Sequence, residues 1–461
     1  MARTIDIPLP LRGMFSKAKS GQVSGLYAAT MNNWRSDGVS LTIRPGVTWT
    51  VDTPDVLWRV PFEVGPYSAY IHIKATTCRY GGIIHSRSWS VQPSVAMISG
   101  SVIMADGLGK PVSFNGTAFT NQTFTTSTGA NPEQFDGVLA HHDRLYFWKT
   151  GGDLEFYYGD VGAISGALER FPLSRLGSVT GRVAALVSMT LDAGHGMNDV
   201  LAVFTTTGQI VVYEGLDPSD AEDWRLTGRV QGAAPLGRNA FVQVGADIWM
   251  VSARGIVSVG ESLRSSTLAF VSAMTVPIAD QIATAAKEGG DWSVFLAADA
   301  SFAAINRVYD GEATQWIYWL EGQAWTTADM QVKQYHNLAG VPEATGLDGK
   351  RGQVAQGETV TATLHTSWFA SPFASILSIT PVIVAGQPLT LKAWVLSDYN
   401  ETTDDLREAE QTITMAPEEI SGTRLVLNDE IATDASGSAF QIRLEVTATW
   451  AELIALKATV A

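Results

Sequence analysis

The chain has 461 residues with 46% hydrophobic and only 17% charged residues, which excludes long-range disorder and leaves ample length for a core without a metal or disulfide staple. Acidic residues outnumber basic ones, 46 to 31, for a net charge of −15, and such a chain does not grip phosphate backbones by bulk electrostatics. The 43 glycines and 14 tryptophans, among many Thr and Val, are the profile of an all-β protein with many tight turns.

From the N-terminus, Met1 to Phe15 carries Asp6 and two prolines and has no apolar h-region, so no signal peptide is expected. The dominant period is two, in bursts of five to eight residues, as in Leu41-Thr42-Ile43 before Arg44-Pro45-Gly46, and Tyr70 to Lys74. The single cysteine, Cys78, cannot form an internal disulfide or a CxxC motif and reads as a small buried hydrophobe. Three hairpins follow. Val138 to Ala140 turns at His141-His142-Asp143-Arg144 into Leu145 to Trp148, and Gly151-Gly152-Asp153 leads on to Leu154 to Tyr158. Val200 to Phe204 returns past Gly208 as Gln209 to Tyr213. Ala246 to Val251 returns past Arg254-Gly255 as Ile256 to Val259. Their spacing of roughly 45 to 60 residues is near that of propeller blades, each a small four-stranded sheet. Trp292 to Leu296 and Trp316 to Trp325 outline a further blade, and aromatics packed between neighbouring sheets account for the tryptophans.

One short helix is predicted after Pro277, with Ile278, Ile282 and Ala285 at helical spacing and an end near Gly289-Gly290, as an insertion between blades. Pro372 to Leu391 is apolar enough to suggest a membrane span, but Pro381, Gly386 and Pro388 interrupt it, so it reads as two strands. Glu401 to Glu410 is acidic and reads as a solvated loop or short surface helix. A composition shift near Gly352 to Gly357 marks a boundary. The expected fold is all-β with little helix: N-terminal strands of a platform over 1–60, a β-propeller over 61–355, and a β-sandwich-like platform domain over 356–461.

Motifs for chemistry are sparse. The seven histidines form no HExxH or i, i+4 pair. His141 and His142, as neighbours along a strand, are expected on opposite faces and so unsuited to one ion. There is no GxSxG elbow, and Gly107-Leu108-Gly109-Lys110 is followed by Pro111 rather than completing a phosphate loop. Asp136-Gly137 and Asp348-Gly349 read as turns. Asp192, Asp199 and Glu214 are the carboxylates that would serve a glycosidase pair. No catalytic, cofactor-binding or metal-ligating residue is assigned, and no cofactor is expected.

A series of phrases in fixed order resembles one family. Asn32-Asn33-Trp34, Gly38 and Ile43-Arg44-Pro45-Gly46 resemble the opening of the tail nozzle (tail tubular, hub-like) proteins of short-tailed bacteriophages. Pro111 to Thr117 is similar to a "DGT" turn of that family, with Asn115 in place of its Asp. Phe135 to Phe147, Tyr158 to Gly166 with Phe171-Pro172-Leu173, and Tyr213 to Ser219 with Trp224 to Gly228 continue the likeness. It spans about residues 25 to 355 and fades after Gly357.

The resemblance implies a non-enzymatic virion protein, assembled in the bacterial cytoplasm and located in the tail. About six copies would form a ring below the head-to-tail connector, with tail fibre proteins as further partners and phage DNA in transient, non-specific passage. Six such chains would carry about −90 before counterions, which repels sliding DNA rather than holding it. Alternatives are a head-completion plug of the same fold, a fibre-anchoring hub, a propeller glycosidase or lyase acting on host surface sugar, and a propeller lectin. A convergent cluster of acids in the central tunnel would mark the enzyme.

Overall fold

The computed structural model describes residues 2–16, 24–50, 53, 55–65, 67–192, 197–265, 273–355, 358–373, 375–387, 389–400, 411–415 and 425–461. The acidic stretch Glu401 to Glu410 lies outside the described residues. The fold is all-β: a propeller joined to a β-sandwich platform, with two short α-helices among the described residues, α1 (Val259–Ser265) and α2 (Ala279–Glu288).

Period-two alternation sends successive side chains to opposite faces, so a strand buried on both faces is apolar throughout. The blade strands show this: Ser101–Ala105, Arg144–Trp148 and Gln209–Glu214 are buried along most of their length because each blade is covered by a neighbour on either side.

Six free-standing sheets serve as blades. The first runs from Val56–Val64 to Ile83–Ser86, the second from Ser94–Ile98 to Phe119–Asn121 and the third from Gly137–His141 to Gly166–Pro172. The fourth runs from Val183–Asp192 to Arg225–Gln231, and the fifth has three strands, Phe241–Val244 to Gly255–Ser258. The closing blade combines Val332–Leu338, Val341–Gly346 and Arg351–Ala355 with Gly46–Thr50 from the other end of the sequence, Arg351 lying opposite Thr50 and Val354 opposite Val47. A further four-stranded set, Asp291–Ala297 to Ala324–Ala328, takes the place in the ring between the fifth and closing blades.

Apolar clusters fill the clefts between blades. Tyr146, Trp148, Phe156, Tyr213 and Trp224 pack the third blade on the fourth, with the rings of Tyr213 and Trp224 stacked 5.4 Å apart. Cys78 packs with Phe62 and Phe114 between the first and second blades, fully buried, and its thiol is pushed up to about 12 by that burial.

The platform consists of two facing sheets. One holds Val360–Thr366, Ala439–Ala448 and Leu389–Ser397, the other Ala451–Val460, Ser375–Ala385 and the N-terminal strands Arg3–Ile7, Trp34–Ser36 and Leu41–Ile43. Alternate residues Leu364, Leu391, Leu444 and Val446 of the first meet Ile379, Ile383, Leu453 and Leu456 of the second. The apolar stretch Pro372 to Leu391 thus contributes two strands, and no helix among the described residues is long and apolar enough to cross a membrane.

Three details differ from the sequence expectation. Gly46–Thr50 and the start of Val56–Val64, assigned by sequence to the platform segment 1–60, belong to propeller sheets, because the ring is closed by backbone hydrogen bonds from a strand distant in sequence. Val259 begins α1 rather than ending a strand. Pro277 lies in a 3-10 turn, Ala273–Ile278, and α2 starts after it. The inserted helix, with Ile282 and Ala285 buried, packs on the core, and Gln281 Oε1 accepts from Trp316 Nε1 at 2.8 Å.

The four-stranded set of the ring and the platform sheet are one ten-stranded sheet, joined where Ala28–Asn32 lies beside Ala324–Ala328, Asn32 opposite Thr327. The residues of the Asn32-Asn33-Trp34 and Arg44-Pro45-Gly46 phrases gather at this joint. Asn33, fully buried with φ 62°, donates through Nδ2 to Thr361 O at 2.7 Å and accepts from Arg44 Nε at 2.7 Å. Arg44 also pairs with Asp329 at 3.0 Å, and Trp34 O accepts from Trp319 Nε1 at 3.0 Å. Gly46 is required by close approach: a Cβ there would lie 2.5 Å from Cβ of Glu358, whose Oε2 accepts from Val47 N at 2.9 Å.

Candidate functional site

The innermost strands of the blades surround a central cavity of about 440 Å³. Ser94, Leu139, Ser188, Gln243, Ser293 and Gln334 line it, one from each of six neighbouring sheets. Polar side chains here tie blade to blade. Ser94 Oγ accepts from Val138 N at 3.1 Å, His141 Nδ1 bonds Ser188 Oγ at 2.8 Å, and Gln334 Oε1 accepts from Arg59 N at 3.2 Å. Burial lowers His141 to about 4, so it is neutral at pH 7. Among the described residues, no Asp or Glu lines this cavity.

Carboxylates stand at one mouth of the axis, around a second cavity of about 390 Å³. Asp106, Asp136 and Asp291 share its wall with Arg238 and Lys333. Both oxygens of Asp136 accept a hydrogen bond: Oδ1 from Thr150 N at 2.7 Å and Oδ2 from Arg238 Nη1 at 2.9 Å. Asp106, only 3% exposed, pairs through Oδ1 with Arg87 and accepts from Leu108 N at 3.1 Å. Lys333, half-buried with its ammonium 4.3 Å from the Trp58 ring, is lowered by burial, an effect that Asp291 partly opposes. Asp106-Gly107 and Asp136-Gly137 are both Asp-Gly pairs, the first following the second strand of its blade, Ser101–Ala105, and the second opening the inner strand Gly137–His141. Asp136-Gly137, a turn in the sequence, and Pro235 to Arg238, a phrase of the family resemblance, both meet this mouth, whereas Asp291 and Lys333 carry no such signal.

Asp199 and Glu214 come together elsewhere. They line a shallow depression with His142, Asp223 and Arg225 at one end of the fourth blade, away from the axis. Asp199 accepts from Thr190 Oγ1 at 2.7 Å, and Asp223 is held below the usual carboxylate range by the backbone N–H groups of Leu216 and Asp217. Asp192 ends the strand Val183–Asp192, opposite Met197. The rings of His141 and His142, expected on opposite faces, lie 4.1 Å apart. His142 and Asp143 form a two-residue turn with φ of 47° and 55°, and this turn ends the strand alternation. Among the described residues no group of three or more His, Cys, Asp or Glu side chains is placed to hold a metal ion.

The seam between the closing and first blades is polar. Arg59, fully buried, donates to Thr345 Oγ1 at 3.2 Å and Gly349 O at 3.1 Å. His336 bonds Tyr70 Oη at 2.9 Å and Thr345 Oγ1 at 3.0 Å, and burial lowers it to about 3. Burial pushes Glu343 up, but its two hydrogen bonds from Arg351, at 2.7 and 2.5 Å, and one from Tyr70 outweigh this and hold it low.

No family model matches the chain, and no curated protein matches its sequence. Among solved structures, 68% of the chain aligns with the whole β-propeller domain of Cps50 (Swd1) from Myceliophteria thermophila, at 10% identity and a TM-score of 0.41. PorZ of Porphyromonas gingivalis aligns over 68% of this chain and 45% of its own, at 13% identity and a TM-score of 0.29. An exo-β-1,3-galactanase from Phanerochaete chrysosporium, solved with galactose, aligns over 81% of this chain and 97% of its own, at 7% identity and a TM-score of 0.27. The propeller assignment rests on the sheet topology described above.

Proposed function

We propose that this chain is a non-enzymatic structural subunit that assembles with copies of itself into a ring, as the tail nozzle or hub of a short-tailed bacteriophage. The observation that carries the reading is the joint. The phrases Asn32-Asn33-Trp34 and Arg44-Pro45-Gly46 that underlie the family resemblance are the residues that lock the propeller sheet to the platform sheet. Such a joint makes one stiff body of two modules, which suits a load-bearing part of a particle. The central cavity supports the non-enzymatic side: no carboxylate is among the described residues that line it, and Asp136 and Asp106 at the mouth are each paired with an arginine.

In this reading DNA passes through the hole of the ring, not through one propeller. The connector and tail fibre proteins are the flanking partners, in the tail of a virion assembled in the host cytoplasm. Mass photometry and negative-stain imaging of the purified chain, and of virions, provide the test. Rings of about six copies are expected. A strictly monomeric protein within assembled virions overturns the proposal, as does release of sugar from host envelope that is lost on Asp291→Asn.

A further inference from the structure

The junction between the closing and first blades is built differently from the others. Ile103 and Phe147 join the second blade to the third, Phe204 and Met250 the fourth to the fifth, and Phe302 and Tyr335 the four-stranded set to the closing blade, each pair within an apolar cluster. Among the described residues no apolar cluster joins the closing blade to the first. Arg59 and Tyr70 of the first blade instead meet His336, Glu343 and Thr345 of the closing blade, all five buried.

Their hydrogen bonds run in one direction. The Tyr70 hydroxyl donates to the Glu343 carboxylate, so its oxygen accepts from His336 Nδ1 at 2.9 Å. With its proton on Nδ1, neutral His336 accepts through Nε2 from the Thr345 hydroxyl at 3.0 Å, and Thr345 Oγ1 accepts from Arg59 Nη1 at 3.2 Å. Arg351 closes the far end on Glu343. A second proton on His336 turns Nε2 into a donor facing the Thr345 hydroxyl proton and breaks the chain. It also sets a third cation beside Arg59 and Arg351 against the single carboxylate of Glu343. Of the other ionisable groups at this junction, Glu63 accepts from Ala339 N and Lys350 pairs with Asp348, while Lys333 and, two residues beyond Tyr70 on the same face, His72 carry or gain positive charge. On the far side of Val332–Leu338, Phe295 and Phe302 pack on Tyr335.

We propose that this polar junction is an acid-released latch, at which protonation of His336 parts the closing and first blades before the apolar junctions open. The inference goes beyond the structural role and stands whether or not copies assemble. Burial holds His336 neutral well below its ordinary 6.5, so the latch is intact above 6.5. It weakens as pH falls, the opening equilibrium rising by up to about tenfold per pH unit. Glu343 is held low by Arg351 and Tyr70 and stays ionised through the upper part of that range. His141 is buried between the third and fourth blades as well, but there Trp148, Tyr213 and Trp224 belong to a cluster that holds the blades together.

Amide hydrogen exchange of the full chain between pH 7 and pH 5, scaled for the intrinsic pH dependence of exchange, tests it. The Arg59 N–H donates across the junction to Gln334 Oε1 at 3.2 Å and so reports the parting directly. Its protection is expected to fall by up to about tenfold per pH unit below 6.5, while that of the Leu444 amide in the platform holds. His336→Gln, which keeps a hydrogen-bonding side chain but cannot titrate, is expected to remove that dependence. Nitrogen-15 NMR of the unaltered chain at pH 7 is expected to find the His336 proton on Nδ1, a readout that serves if His336→Gln fails to fold. Arg59 protection that does not change with pH, that falls in step with Leu444, or that falls unaltered in His336→Gln overturns the proposal. So does a His336 proton on Nε2.

Discussion

Asn33 carries more of this fold than its size suggests. Its left-handed backbone and two side-chain hydrogen bonds hold Arg44 and the Thr361 carbonyl in place at the joint. Asn33→Ala leaves the buried Arg44 Nε and the Thr361 oxygen unpaired, and a loss of about 2–4 kcal/mol in denaturant unfolding is expected. Gly137 is constrained in a different way: a Cβ there would lie 1.9 Å from Cε2 of Trp148, so the turn residue of the sequence reading is also the seat of a core indole. The histidines set a pH dependence. His141 and His336 fall from 6.5 to about 4 and about 3, both chiefly by burial. The unfolded chain takes up these protons near pH 6.5 and the folded one does not until much lower, so their contribution is intact above 6.5. It is lost as pH falls, at up to about 1.4 kcal/mol per pH unit for each histidine. Unfolding free energies measured from pH 7 to pH 4 are expected to decline along that slope, and His336→Gln to flatten it.

Among the elements, hairpins were the most legible, since apolar runs flanking a turn specify both strands and their pairing. Val138 to Trp148 is a two-residue hairpin, with His141 opposite Arg144, two residues tighter than the four-residue turn read from polarity. Polarity misled there because His141 is polar yet buried against Ser188 of the next blade. The helix after Pro277 was legible from its period, whereas α1 was hidden because Val259 continues the apolar run of the preceding strand. The strand Gly46–Thr50 tests ring closure. Val47, 2% exposed, packs with Phe302, Trp319 and Tyr335. Val47→Asp buries an unpaired carboxylate in that cluster and is expected to lower Tm by many degrees, with proteolysis beginning at the closing blade. Undiminished Tm would show that the ring does not depend on this strand.

At the scale of the whole molecule, charge and architecture bear on function together. A chain of net charge −15 is expected to give no gel retardation of duplex DNA at micromolar protein and 50 mM salt. Retention there would mean that a basic face outweighs the overall balance. Composition, turn grammar and blade spacing were enough to determine an all-β propeller with an added β platform, because burial on two faces and tight turns leave their mark on consecutive residues. The joint phrases stood out in the sequence only through the family resemblance, not through composition or period. Only the tertiary structure decided that residues 46–50 close the ring, that one sheet runs from the propeller into the platform, and that Asp106, Thr150 and Lys333 share a cavity while Asp199 and Glu214 lie apart from it. These groupings unite residues up to about three hundred positions apart in the sequence, and local periodicity carries no information on which distant strands will meet.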